Sequence, residues 1–293
     1  MKTLVVLTFL LVLALSSVAA AQAKSFEVLN PNVSQGDVVI VKAEESFYDE
    51  DLGIYAFEKI WPYNKDRLAF VGVDFNTHPG SYILYQVNTK TNERIDWYYE
   101  EVGVGTSNFP VVRLKSSGSS LVSKKRTQER QIIQAVFDLN LSADHIEGVF
   151  HYPLERIEVS INGQFGTKRI YRNGYITPHI GVDLRTKENI RDKGLRSVMA
   201  VNYGRVVLAG KFSLEGNMVI IDHGQKVFSV YMHLSKITVK PGQEVESGRQ
   251  IAVAGATGRG NGPHLHFAMK INNAVINPLA FIETFNSVLL VGR

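Results

Sequence analysis

The sequence predicts a mainly β chain, with an N-terminal β-sandwich-like domain and a β-rich C-terminal domain. Three observations predict it. From Ser25 to about Val112, short apolar runs alternate with turn residues; the same texture returns from Ile157 to Ile282; and one helical period separates the two. At 293 residues the chain can bury one large core or two moderate ones, and two is the expectation. An apolar content of 45% with 20% charge is that of a globular chain, which excludes a disordered one.

Taken in order, the chain opens with Met1-Lys2-Thr3, then an apolar run from Leu4 to Leu15 interrupted by Thr8, then small residues through Ala23. A charged start, a short apolar stretch and an A-x-A site predict a secretory signal peptide at 1–23, cut after Ala21 or Ala23. The apolar run is shorter than the roughly 20 residues that span a bilayer, so no stable membrane insertion is expected after cleavage. Export to the periplasm, the cell envelope or the medium follows from that expectation. With no cysteine anywhere, a disulfide framework, lipid attachment at cysteine and a thiolate zinc site are all excluded.

The accessory domain is expected at 24–112. Its strands are typified by Val38-Val39-Ile40-Val41 after Gln35-Gly36-Asp37 and by Tyr82-Ile83-Leu84-Tyr85-Gln86-Val87 after His78-Pro79-Gly80. Lys115 to Ser120 is small and polar, which marks a boundary. Behind Ser123, the apolar residues Ile132, Ile133, Val136, Phe137 and Leu139 recur three to four apart and predict a short amphipathic helix within a linker at 113–153. The basic cluster Lys124-Lys125-Arg126 at its start reads as a solvated helix face, and no nucleic-acid partner is expected. The net charge of +4, +3 once Lys2 leaves, suits an anionic wall or lipid surface only weakly.

The C-terminal domain is expected at 154–285, and it carries the chemistry. His179-Ile180-Gly181-Val182-Asp183 and His264-Leu265-His266 are ligand-spaced pairs, with His233 as a bridging histidine. Along an extended chain, residues two or four apart share a face. His264 and His266 therefore project together away from Leu265 and Phe267, and His179 and Asp183 project together away from Ile180, Val182 and Leu184. Two such strands can meet around one divalent ion, and nitrogen and oxygen donors without thiolate suit zinc best.

These residues carry a resemblance. Pro178 to Asp183, Gly216 to Gly224, Tyr231-Met232-His233-Leu234-Ser235, Gly258 to Phe267 and Asn277-Pro278-Leu279 resemble, in order, the lysostaphin-type (M23) zinc metallopeptidase family, whose members cut peptide bonds of peptidoglycan. The N-terminal β region is similar, more loosely, to the accessory domain ahead of some such peptidases. The resemblance implies that His179, Asp183 and His266 bind one Zn2+ per chain and that His233 and His264 are catalytic. It implies peptidoglycan as the partner and leaves the cleaved bond and the oligomeric state open. Arg185 to Gly194 depart from the family pattern, replacing a shorter Pro/Gly-rich turn, which bears on one groove wall. Three protein ligands leave a fourth position open, the mark of a catalytic zinc. Neutral and protonated imidazoles supply the base and acid that hydrolysis needs.

A lone histidine is more often a surface or core residue than a ligand, and His78, His145 and His151 show no ligand spacing. His223, in Asp222-His223-Gly224, reads as a structural turn residue. Gly258 to Gly262 leads into a strand and lacks the strand-then-helix context of a phosphate loop. Two rival classes stand beside the enzyme. A carrier barrel at Val198–Gly255 lacks an evident hairpin-tip lysine. A non-catalytic wall-binding or hydrolase-activating module of the same fold is expected to lose ligands, whereas here all five positions are filled.

Overall fold

The computed structural model describes residues 23–115, 124–139, 145–155, 157–159, 163–186, 197–259 and 262–291. The expected signal peptide lies outside them apart from Ala23, as do residues 116–120 of the polar run and 187–194 of the segment that departs from the family pattern.

Ahead of the first helix run β1 Phe26–Val28, β2 Asn32–Ser34, β3 Val38–Ala43, β4 Leu52–Ala56, β5 Lys59–Pro62, β6 Leu68–Gly72, β7 Gly80–Asn88, β8 Glu100–Gly105 and β9 Val111–Arg113. Helix α1 Lys124–Phe137 follows, then β10 Ile157–Val159, β11 Lys168–Ile170, β12 Ile176–Pro178, β13 Val182–Thr186, β14 Ser197–Met199, β15 Gly204–Phe212 and β16 Gly216–Asp222. The chain continues through β17 Val227–Ile237, β18 Glu244–Val245, β19 Gln250–Ala254, β20 Leu265–Ile271 and β21 Ala274–Ile276 to helix α2 Pro278–Val291. The chain is mostly β, as its periodicity predicts.

The N-terminal half holds a three-stranded sheet, β1-β3-β6, and a five-stranded one, β2-β8-β7-β4-β5. Alternation makes them: Leu84, Val102, Val104 and Ile54 are buried, while Ile83, Glu101 and Gly103 between them face out. The C-terminal half is built on a ten-stranded sheet with the path β10-β13-β20-β17-β16-β15-β18. Its central strands β16 and β20 are buried on both faces and read as continuous apolar runs. On one side α1 seals the sheet: Phe137 meets Phe228 edge-on at 5.4 Å, and Lys270 Nζ lies 4.3 Å from the Phe137 ring.

Two findings depart from the expectations. One apolar cluster runs from Phe26 to Phe285, continuous across both halves where two cores were expected. Phe70 of β6 packs on Phe281 and Phe285 of α2, and Asn277 N–H donates to Gly36 O at 2.7 Å. Secondly, Pro278–Val291 is helix where strand texture was read through Ile282. Asn277 Oδ1 caps it by accepting from Leu279 and Ala280 N–H, and Pro278 stands at the first helical position, where its missing N–H costs nothing.

Strand β9, at the expected end of the accessory domain, joins neither N-terminal sheet. It pairs in parallel with β11, which pairs with β12.

Candidate metal centre

Three strands bring the site together. Asp183 of β13 lies directly opposite His266 of β20, and His266 lies opposite Met232 of β17, one residue before His233. Leu265 and Phe267 point into the core, both fully buried, so the alternation that turns them inward turns His264 and His266 to the other face. His179 arrives differently from the sequence expectation. It follows β12 and precedes a bend at Gly181, so it shares no strand with Asp183, and Ile180 is 39% exposed rather than packed. The bend passes so close to β20 that a Cβ on Gly181 would sit 2.7 Å from His266 Nε2 and 2.6 Å from Phe267 O. Only glycine fits there.

His179 Nε2, Asp183 Oδ1 and His266 Nδ1 form a triangle with edges of 2.9, 2.9 and 3.0 Å. These are the donor atoms of one His-Asp-His group whose members all lie within 4.8 Å of one another. The triangle tests its own occupant. His179 Nδ1 lies 3.0 Å from Gln164 O, which only accepts, so in the neutral ring Nδ1 carries the proton and Nε2 presents a lone pair. A lone pair 2.9 Å from a carboxylate oxygen, with a second imidazole nitrogen beside both, is repulsive unless a proton or a metal ion lies between them. A tetrahedral zinc with bonds of about 2.05 Å has ligand–ligand edges of about 3.3 Å, close to those seen. The donor set fits a zinc ion.

The protonation states agree. Burial opposes ionisation of Asp183, but contacts from His179 and then His266 outweigh it and hold the carboxyl well below its usual range. Burial pushes the His266 imidazole down to about 4, and burial likewise lowers His233. A carboxylate with neutral imidazoles is the form that ligates metals.

His233 and His264 stand beside this triangle, their rings 4.8 Å apart; His264 Nε2 is 3.7 Å from Asp183 Oδ1, and the His233 ring is 6.1 Å from that of His266. Each is oriented through Nδ1–H, His233 donating to Thr257 O at 2.9 Å and His264 to Gly262 O at 2.8 Å. When either ring is neutral, Nε2 is therefore the free base. His233 adopts φ +60, sparsely populated for a residue with a Cβ, where β17 slips register against β16. Such strain persists when the surroundings over-determine it; the bulge and the bond from His233 N–H to Glu215 O at 2.9 Å do so here.

All five sequence-predicted residues converge. The structure adds two supports that spacing did not reveal. Arg169 of β11 donates from Nη2 to Asp183 Oδ2 at 2.8 Å, gripping the oxygen that does not face the imidazoles. The turn 164–167 brackets His179: besides the Gln164 contact, Gly166 N–H donates to His179 O at 2.8 Å and His179 N–H to Thr167 O at 3.0 Å. The remaining histidine of note, His223, is buried and bonded to Tyr203 O and Ser229 Oγ rather than to any of the five. Among the described residues no helix is long and apolar enough to cross a membrane.

Residues 177–278, which include all five side chains, match the family model of Peptidase family M23. Among curated proteins, an uncharacterised metalloprotease of Haemophilus influenzae is 33% identical over 177 residues, covering 60% of this chain and 34% of that protein. Peptidoglycan DD-endopeptidase ShyB of Vibrio cholerae serotype O1 is 34% identical over 140 residues, covering 47% and 32%. The chain thus spans about a third of the length of the curated relatives it matches. A crystal structure of a putative peptidase M23 from Pseudomonas aeruginosa superposes with a TM-score of 0.62 at 24% identity, covering 85% of this chain and 94% of that one. That likeness is one of fold, and it extends over both halves. The His-Asp-His triangle lies inside the segment, residues 177–278, that matches Peptidase family M23.

Proposed function

We propose that the chain is a zinc metalloendopeptidase that hydrolyses peptide bonds in the stems or cross-links of peptidoglycan. The convergence of His179 Nε2, Asp183 Oδ1 and His266 Nδ1, with two further histidines presenting free Nε2 atoms beside them, carries this reading. The substrate class is supported by the similarity to an enzyme named for peptidoglycan DD-endopeptidase activity. His179, Asp183 and His266 hold one zinc, which supplies a Lewis acid that polarises the scissile carbonyl and acidifies water.

The chain's own residues do the rest. His233 and His264 each keep Nδ1–H on a backbone carbonyl, so proton traffic runs through Nε2. One Nε2 takes the proton of the attacking water, and an Nε2 that carries a proton delivers it to the departing amine. The lowered pKa of His233 keeps its ring unprotonated near neutral pH and suits it to the first task. Action on the wall requires the protein outside the cytoplasm, and the signal-like residues 1–23 support a location in the periplasm, the cell envelope or the medium.

Incubation of the mature protein with purified cell walls, with the products identified by mass spectrometry, tests the activity and names the bond. Release of muropeptides cut within the peptide moiety is the expected result. Stoichiometric zinc with intact walls would instead favour the non-catalytic wall-binding or activating module.

A further inference from the structure

We propose that the N-terminal half of the chain holds two of the metal ligands in place, and that Arg169 is the positioning residue through which strand β9 reaches Asp183. The inference rests on the metal reading above.

Strand β11 is short and carries Arg169 at its centre, directly opposite Val112 of β9. Lys168 N–H donates to Pro110 O at 2.7 Å, and Leu114 N–H to Ile170 O at 2.8 Å, so β9 locks β11 at both ends. Without β9, β11 and β12 would be a three-residue hairpin with an open edge, too small to be stable alone. From this clamped strand Arg169 grips Asp183 Oδ2, which leaves Oδ1 to face the two imidazoles. The Arg169 side chain is 24% exposed and that of Asp183 17%, so the pair is poorly screened by solvent.

His179 is held by the same half through a second route. Its partner Gln164 precedes Phe165, whose ring packs edge-on against Phe109 at 5.9 Å and Phe75 at 6.3 Å. The fit leaves no slack: a Cβ on Gly36 would sit 2.5 Å from the Phe165 ring, and one on Gly166, at φ +73, would sit 2.0 Å from Phe109. The turn that presents the Gln164 carbonyl is thus pressed between residues of the N-terminal half. His266 needs no such help, since β20 is flanked by β13 and β17 of the C-terminal sheet.

The test uses the full mature chain. Zinc affinity is measured by competition with a chromophoric chelator, and the coordination geometry by the visible absorption of the cobalt form. Arg169→Gln should weaken zinc by about 10–100-fold, the range for loss of a group that orients a ligand, and Arg169→Lys should restore part of it. Val112→Pro, which removes a ladder N–H, and Phe109→Ala touch no ligand and should weaken zinc in the same direction. Tyr55→Ala, which removes the 5.0 Å stack on Tyr85 in the five-stranded sheet, should leave zinc affinity unchanged. Wild-type affinity in Arg169→Gln overturns the proposal, as does a loss in Tyr55→Ala equal to that in Val112→Pro. A wild-type protein that takes no zinc removes the metal reading itself, an outcome separate from both.

Discussion

His266 and His223 are both buried, and burial pushes both imidazoles down to about 4, yet their surroundings put them to opposite uses. His223 donates from Nδ1 to Tyr203 O at 2.7 Å; its Nε2 lies 2.8 Å from Ser229 Oγ, itself 3.0 Å from the Tyr231 hydroxyl, which accepts from Val201 N–H. Every polar atom there has a complementary partner, and the chain of bonds ends on backbone groups at both sides. Around His266 two imidazole nitrogens and a carboxylate oxygen converge within 2.9–3.0 Å of one another, three atoms that can all ligate one cation. A depressed histidine pKa therefore reports depth, not function. What marks the functional cluster is three potential ligand atoms aimed at a common point, the arrangement that metal binding uses.

The sharpest way to break this contrast is to delete one member of each cluster. His266→Ala or His179→Ala should lose zinc by more than the about 10–100-fold expected for a supporting residue, and hydrolysis with it. Metal content after exhaustive dialysis measures this, and a fully loaded His266→Ala would end the ligand assignment. His264→Ala and His233→Ala should instead keep zinc and lose about 10²–10⁴-fold in wall hydrolysis, the usual contribution of a positioned acid or base. An empty site in His264→Ala would mean that ligand and catalytic roles are exchanged within the His264/His266 pair. His223→Ala should retain zinc and activity but lose about 1–3 kcal/mol of stability for each buried partner left unsatisfied, read by urea denaturation.

The smallest effect is a pH slope. Folding lowers the His223 pKa from 6.5 to about 4, so between these values the unfolded chain binds the extra proton. Stability from this group is fully present above pH 6.5 and is lost as pH falls towards 4. His266 adds a parallel loss in metal-free protein only, because a zinc-bound nitrogen has no lone pair to protonate. Denaturation of metal-free protein across pH 4–7 should therefore show a slope that His223→Gln reduces by up to about 1.4 kcal/mol per pH unit. An unchanged slope would mean that His223 is not neutral in the native state.

Much of the site was legible because its motifs are local. The two-residue step of His264-Leu265-His266 places both rings on one face whatever the sheet does around them, and Leu265 and Phe267 are buried as that alternation demands. His179 and Asp183 were paired correctly, but not because they share a strand; the bend at Gly181 brings them together. The helix at 124–137 followed from its period, whereas α2 was missed although Asn277-Pro278 is a good start signal, because its apolar face was read as strand texture. Arg169 was invisible for a stronger reason. Its link to Asp183 depends on β11 being placed by β9, 57 residues earlier by register, and no local pattern encodes such a pairing.

By itself the sequence determined the donor chemistry: imidazoles and a carboxylate without thiolate, in short motifs whose alternation sets which side chains share a face. Tertiary structure decided which atoms meet, which nitrogen of each ring is free, and that one core joins both halves of the chain. The physical reason is range. Side-chain alternation is a property of a few consecutive bonds, while the 2.9 Å contacts of Asp183 with His179 and His266, and the grip of Arg169 from behind, depend on strand registers set by packing far along the chain.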